Sequence, residues 1–100
     1  MSWYDDRDGN YEIYFARLDG SGTKIGSDVR VTNNTETSRY PSLVWTGSEY
    51  GVSWSDSRDG NFEIYLARVD ASGTKIGSDV RVTNAASHSV TPSLVWTGSE

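Results

Sequence analysis

Apolar and polar residues alternate along most of this chain with a period of two, interrupted at short intervals by glycine, and the segment from Pro41 to Thr83 shows the pattern in full. Leu43 and Trp45 precede Gly47-Ser48, a pair suited to a two-residue hairpin turn with glycine at its first position. That turn sets Trp45 opposite Tyr50 and Leu43 opposite Val52, pairing a first strand, Ser42 to Trp45, with a second over about Tyr50 to Ser57. Asp59-Gly60 is a further hairpin signal, because both turn positions favour positive φ. The third strand, Phe62 to Val69, carries Phe62, Ile64 and Leu66 on one face and Tyr65, Ala67 and Val69 on the other, so it requires neighbours on both sides. Asp70 to Gly73 turns the chain, Thr74 to Gly77 bends it again, and Asp79 to Thr83 forms an outer strand. Asp79 and Arg81 on that strand discourage edge-to-edge pairing. The 3.6-residue apolar period of an amphipathic helix is absent, so the expected fold is all-β with four antiparallel strands per unit.

The unit is repeated. At an offset of 51, residues 2–49 match residues 53–100 at 36 of 48 positions with no insertion, and Pro41 to Glu49 returns unchanged as Pro92 to Glu100. A period of this length, made of strands and tight turns, points to stacked or radially arranged sheets and away from a helical solenoid. On this reading residues 1–33 hold the second to fourth strands of one unit, 34–40 a connecting loop, 41–83 a complete unit and 84–91 a second loop. Residues 92–100 then supply the first strand of a further unit.

The pattern Pro41-Ser-Leu-Val-Trp-Thr-Gly-Ser-Glu-Tyr-Gly-Val52, then Trp54, then Asp56-Ser-Arg-Asp-Gly-Asn-Phe-Glu-Ile-Tyr-Leu-Ala-Arg68, resembles the highly repetitive β-propeller repeats of bacterial proteins over the whole chain. The Asp70-Ala-Ser-Gly-Thr-Lys-Ile76 turn distantly resembles the Asp-box of sialidase blades, with Ile25 and Ile76 where that box has an aromatic residue. The resemblance implies two four-stranded blades per chain. Since two blades do not close a ring, the expected assembly is a six-bladed homotrimer, with an eight-bladed homotetramer as the alternative. Leu94, Val95 and Trp96 would pair with Met1, Ser2 and Trp3 of another copy by strand exchange. A Tyr and a Gly are missing relative to two full units, a gap of at most ~7 Å.

Composition narrows the chemistry. The formal charge of −5, with no two basic residues adjacent, leaves no phosphate-tracking patch and argues against nucleic acid. There is no Cys, which removes disulfides and thiolate chemistry. No apolar stretch reaches the ~20 residues of a membrane-spanning helix. No secretory leader is expected within this segment, and its compartment is open, although the resemblance implies a secreted or cell-surface bacterial parent.

The densest polar group is Asp5 to Glu12, repeated as Asp56 to Glu63. A two-residue turn at Asp59-Gly60 places Asp56 opposite Glu63, and Asp5 opposite Glu12, so each pair offers oxygen ligands for Ca²⁺ or an acid/base couple. The competing reading is a structural hairpin in which Arg58 neutralises the pair, and the spacing does not match an EF-hand loop. No cofactor other than that Ca²⁺ is expected, and no catalytic residue is assigned. His88 stands alone in a polar loop, where solvation is the ordinary fate. Trp3, Trp45, Trp54 and Trp96 recur inside strands and are expected to pack between blades. Half of the 12 differences between the copies fall in Asn34 to Tyr40 against Ala85 to Thr91. Glu36, Arg39, Tyr40 and His88 are therefore the candidate ligand-binding residues, at the end of the fold where these loops emerge.

The function expected from these features is a non-catalytic, self-assembling binding or scaffold module, with a glycan or a peptide as its partner besides itself. A glycosidase or sialidase-like propeller enzyme is one alternative; near-identical blades disfavour it. A fragment or engineered repeat whose only activity is folding and assembly is the other.

Overall fold

A computed structural model of the chain describes residues 1–33, 35–84 and 88–98. It is all-β. The strands are β1 (Ser2–Asp5), β2 (Glu12–Leu18), β3 (Lys24–Arg30), β4 (Ser38–Trp45), β5 (Glu49–Asp56), β6 (Glu63–Asp70) and β7 (Lys75–Arg81). They form two antiparallel sheets in chain order, one of three strands, β1-β2-β3, and one of four, β4-β5-β6-β7.

The register follows the turn chemistry. Trp45 pairs with Tyr50 and Leu43 with Val52 across the Gly47-Ser48 turn, where Gly47 has φ 99° and a side chain would be strained. Asp56 pairs with Glu63, and Asp5 with Glu12. The Asp56–Glu63 connection is not the expected two-residue Asp59-Gly60 turn: the Gly60 N–H donates to the Ser57 carbonyl at 3.1 Å, so Arg58 and Asp59 are the central residues and only Gly60, at φ 103°, is left-handed. In the Asp70 turn the carboxylate does the bending: one oxygen accepts hydrogen bonds from the Ser72 N–H at 2.9 Å, the Ser72 hydroxyl at 2.6 Å and the Thr74 N–H at 2.9 Å. Asp19 repeats this arrangement in the first sheet.

The structure differs from the sequence expectation in β4, in β7, which ends at Arg81 rather than Thr83, and at residues 93–96. β4 starts at Ser38, ahead of Pro41, with its pairing shifted between Arg39 and Ser42. Proline is tolerated there because β4 is an edge strand and needs no inward N–H at that point. β7 starts at Lys75, and the bend expected at Thr74 to Gly77 lies inside it as an irregularity around Gly77, at φ 71°. Ser93 to Trp96, expected as a strand, has no ladder partner among the described residues. Residues 85–87 of the second connection and Ser99 of the last turn lie outside the described residues.

The core is the contact between the sheets. The first sheet contributes Ile13, Phe15, Val29 and Val31, and the second contributes Leu43, Tyr50, Val52, Trp54, Tyr65, Ala67 and Val69. The Phe15 and Tyr50 rings meet at 5.2 Å. Two polar ties cross the same boundary: Arg17 donates to the Ala71 carbonyl at 3.2 Å, and Lys75 donates to the Val31 carbonyl at 2.9 Å. The faces turned away from this contact carry the repeat copies of the same residues. Ile64, Leu66, Val80 and Val82 on the second sheet correspond to Ile13, Phe15, Val29 and Val31 on the first, and Val80 and Val82 are 54% and 58% exposed.

Phe15 is fully buried and Leu66, its repeat counterpart, only half-buried. Phe15→Ala should therefore lower the unfolding free energy by ~3–5 kcal/mol, in the range for truncating a buried aromatic. Leu66→Ala should cost clearly less when urea unfolding is followed at low protein concentration; equal losses would contradict the assignment of the core to the boundary between the sheets.

Candidate functional site

The repeated acidic hairpin is a closed hydrogen-bonded node. Asp56, fully buried at the end of β5, accepts from the Trp54 indole N–H at 2.9 Å, the Ser38 hydroxyl at 2.9 Å, the Arg58 backbone N–H at 2.9 Å and the Arg58 guanidinium at 2.7 Å. Burial alone pushes its carboxyl up, but Arg58 and the Trp54 N–H outweigh that and hold it below the usual carboxylate range. Glu63, opposite it, accepts from the Thr83 hydroxyl at 2.6 Å, Asn61 at 3.1 Å and Arg81 at 3.3 Å. In the first sheet Asp5 takes Arg7 and Trp3, and Glu12 takes Thr32, Arg30 and Asn10.

Each of these carboxylates thus faces donors, which gives it the role of an internal counter-charge. Among the described residues no group of three or more His, Asp or Glu side chains is arranged to hold a metal ion. The guanidinium of Arg58 also lies over the Tyr65 ring, 4.1 Å from its centre, with the Trp54 ring stacked on that tyrosine at 6.2 Å. Trp3, Tyr14 and Arg7 repeat the stack.

The loop-bearing end is more open. Arg39 and Tyr40 lie in β4, Glu36 and His88 on the connections. The Arg39 guanidinium sits between the Tyr11 ring, 5.4 Å away, and the Phe62 ring, 5.6 Å away. His88 packs on Phe62 at 5.5 Å, and its Nδ1 accepts the Phe62 N–H at 2.9 Å. Glu36 contributes its carbonyl, which accepts from Asn10 Nδ2 at 2.6 Å beside Tyr11. Arg39, Tyr40 and, through Phe62, His88 are therefore brought into one region, with Glu36 tethered at its border.

Two members escaped the sequence reading. Tyr4 meets the Tyr11 ring at 5.3 Å and the Tyr40 ring at 5.5 Å, both edge-on. Comparison of the copies holds the signal, because Tyr4 stands where the second copy has Ser55 and Tyr11 where it has Phe62.

The residues expected to mediate assembly occupy two edges. Met1 pairs with Ala16 through both its ammonium and its carbonyl, extending β1 by one residue. The Leu94 N–H donates to the Ser42 hydroxyl at 3.0 Å and the Thr91 N–H to the Ser55 hydroxyl at 2.9 Å, so residues 91–96 run along β4 and β5 through side-chain tethers. Between them and the sheet is a cleft of about 430 Å³ lined by Val44, Tyr50, Leu66, Leu94 and Trp96, with the Arg68–Glu49 ion pair, at 2.6 Å, on its wall.

Burial, and then the hydrogen bond to the Asp59 carboxylate, push the Tyr65 hydroxyl up to about 12 from 10.0. Its folded value lies above its unfolded one, so this contribution to stability is complete below pH ~10 and is lost as the pH climbs towards 12. Tyr14, bonded to Asp8, is also pushed up, so in an alkaline titration followed by tyrosinate absorbance the late amplitude should fall by one tyrosine in Tyr65→Phe; an unchanged late amplitude would reassign it. No protein-family model matches the chain and no curated protein resembles it significantly, so the reading of this site rests on its own chemistry.

Proposed function

We propose that the chain is a non-catalytic, self-assembling binding or scaffold module, in which the two sheets act as blades of a β-propeller whose ring is closed by further copies. One observation carries this reading: the contact between the sheets is made of repeat positions whose copies lie on the two outer faces, where Leu18, Val80 and Val82 are exposed. Ile64, Leu66, Val80 and Val82 of one copy present to a second copy what Ile13, Phe15, Val29 and Val31 present within the chain. Trp3, Tyr14, Ala16 and Leu18 correspond to Trp54, Tyr65, Ala67 and Val69 and form the receiving face.

The polar ties transfer by the same rule. Arg68, the copy of Arg17, would reach the neighbour's Gly20 carbonyl, and Lys24, the copy of Lys75, would reach the neighbour's Val82 carbonyl. Such a contact is head-to-tail and closes only by forming a ring. Leu94, Val95 and Trp96 would add an inner strand beside Ser2 and Trp3 of that neighbour, filling in the three-stranded sheet the position that β4 fills in the four-stranded one. Three copies give six blades and four give eight, both within the usual range, and six is favoured.

The donor-filled carboxylates support a role without catalysis, since neither Asp56 nor Glu63 has a free lone-pair direction aimed at an open surface. Binding is assigned to the loop-bearing end.

Native mass spectrometry, or light scattering after size exclusion, tests the assembly. Three copies of the 11.0 kDa chain give about 33 kDa, and Leu66→Glu on the docking face should return the chain to one copy. Thermal stability of the unsubstituted chain should rise with protein concentration. A compact monomer whose melting is independent of concentration would overturn the proposal.

A further inference from the structure

We infer that Arg39, with Tyr4, Tyr11 and Tyr40, forms a binding site for a carboxylate-bearing sugar, a uronic acid residue in a short oligosaccharide. The inference rests on the reading of the chain as a binding module and gives that module its ligand class.

Arg39 is the first reason. Of the nine Lys and Arg residues, seven are ion-paired, and Arg17 donates to a backbone carbonyl. Arg39 alone has neither a hydrogen bond nor an ion pair among the described residues, and its Nε is buried without an acceptor. It is held instead by the Tyr11 and Phe62 rings on either side, at 5.4 and 5.6 Å. A guanidinium fixed between rings keeps its donors oriented, and its geometry matches the two oxygens of a carboxylate. In a chain of net charge −5 that supplies every other cation with a partner, an unpaired one is the anomaly.

The tyrosines are the second reason. Tyr4, Tyr11 and Tyr40 are 39%, 38% and 41% exposed, and Tyr11 and Tyr40 each meet Tyr4 edge-on, so they form a single aromatic surface with polar rims. Such a surface suits a pyranose, whose C–H face stacks on a ring while its hydroxyls meet phenolic oxygens. Tyr40 presents its ring from a left-handed backbone position, φ 57°, that Thr91 also adopts at 58°. The conformation therefore belongs to the repeat, and the ring belongs to this copy alone.

Placement is the third reason. Tyr4 and Tyr11 come from the first sheet, Arg39, Tyr40 and Phe62 from the second, so the patch bridges the boundary within the chain. Assembly through the outer faces leaves it uncovered. At a boundary between copies the corresponding residues are Ser55, Phe62, Val90 and Thr91, which provide neither the cation nor the tyrosines. A closed ring would thus carry one such site per copy, spaced at every second boundary, an arrangement that raises avidity for a repeating uronate chain.

The test uses trigalacturonate, neutral galactotriose and a tripeptide of three glutamates, titrated against the full chain by isothermal calorimetry and saturation-transfer NMR. Three variants borrow the residue that the other copy already carries: Arg39→Val, Tyr4→Ser and Tyr40→Thr. Each residue is already accommodated at the equivalent place, and native mass on the same samples reports whether assembly is retained. Trigalacturonate should bind in preference to galactotriose and to the peptide, with Arg39→Val weakening it roughly tenfold or more, as expected for loss of a charge-assisted pair. Tyr4→Ser and Tyr40→Thr should weaken it several-fold. Equal binding of the neutral sugar, preference for the peptide, indifference to Arg39→Val, or no binding at millimolar ligand would each overturn the inference. Binding by a chain that remains monomeric would uphold the site while refuting the ring.

Discussion

The packing of Ile13 and Phe15 against Tyr50, Val52 and Trp54 is the contact on which the rest of the structure depends. A four-stranded sheet with apolar side chains on both faces has no stable solution by itself, because covering one face leaves the other in water. Within the chain each sheet satisfies one face of its neighbour. The remaining pair of faces is chemically the same pair, presented outward. Under the proposed assembly, repetition of the unit would turn a problem of burial into a rule for association; within the chain, Arg17 and Lys75 tie one sheet to the next.

Around that contact the charges are arranged to keep the hairpin ends rigid. Asp56 is buried, and its acceptors are met by Trp54, Ser38 and Arg58, so the carboxylate compensates its own desolvation through donors from its own strand and from β4. Arg58 then covers Tyr65 from outside, which leaves that ring between a guanidinium and an indole. The node gives the Asp-x-Arg-Asp-Gly segment the same structural role in both copies.

Local rules made much of this legible. The turn at Gly47-Ser48 determines the register of β4 on β5, the hairpin around Asp59-Gly60 places Asp56 opposite Glu63, and the alternation in β6 already declares two covered faces. What could not be read depends on contacts distant in the chain. Tyr4 and Tyr40 are separated by more than thirty positions and meet only because the first sheet lies against β4. Arg39 looks like any surface cation until the ion pairs of its fellows are known. The early start of β4 escaped because Pro41 reads as a boundary, whereas an edge strand can absorb it. The start of β7 escaped because Gly77 reads as a turn when it serves as an irregularity within a strand.

The identity of Pro41 to Thr46 with Pro92 to Thr97 has a kinetic consequence. Side-chain chemistry cannot decide which of the two segments forms the ladder with β5, since both offer the same residues. The choice falls to chain closure: β4 reaches β5 through a turn a few residues long, while the later copy would have to close a loop of some forty residues first. The nearer segment gains its place through speed, in the way that local contacts generally precede distant ones. Lengthening the turn at Gly47 would erode that lead and let two indistinguishable strands compete for one edge, so in this chain the short Gly47-Ser48 turn acts as the proofreader of the fold.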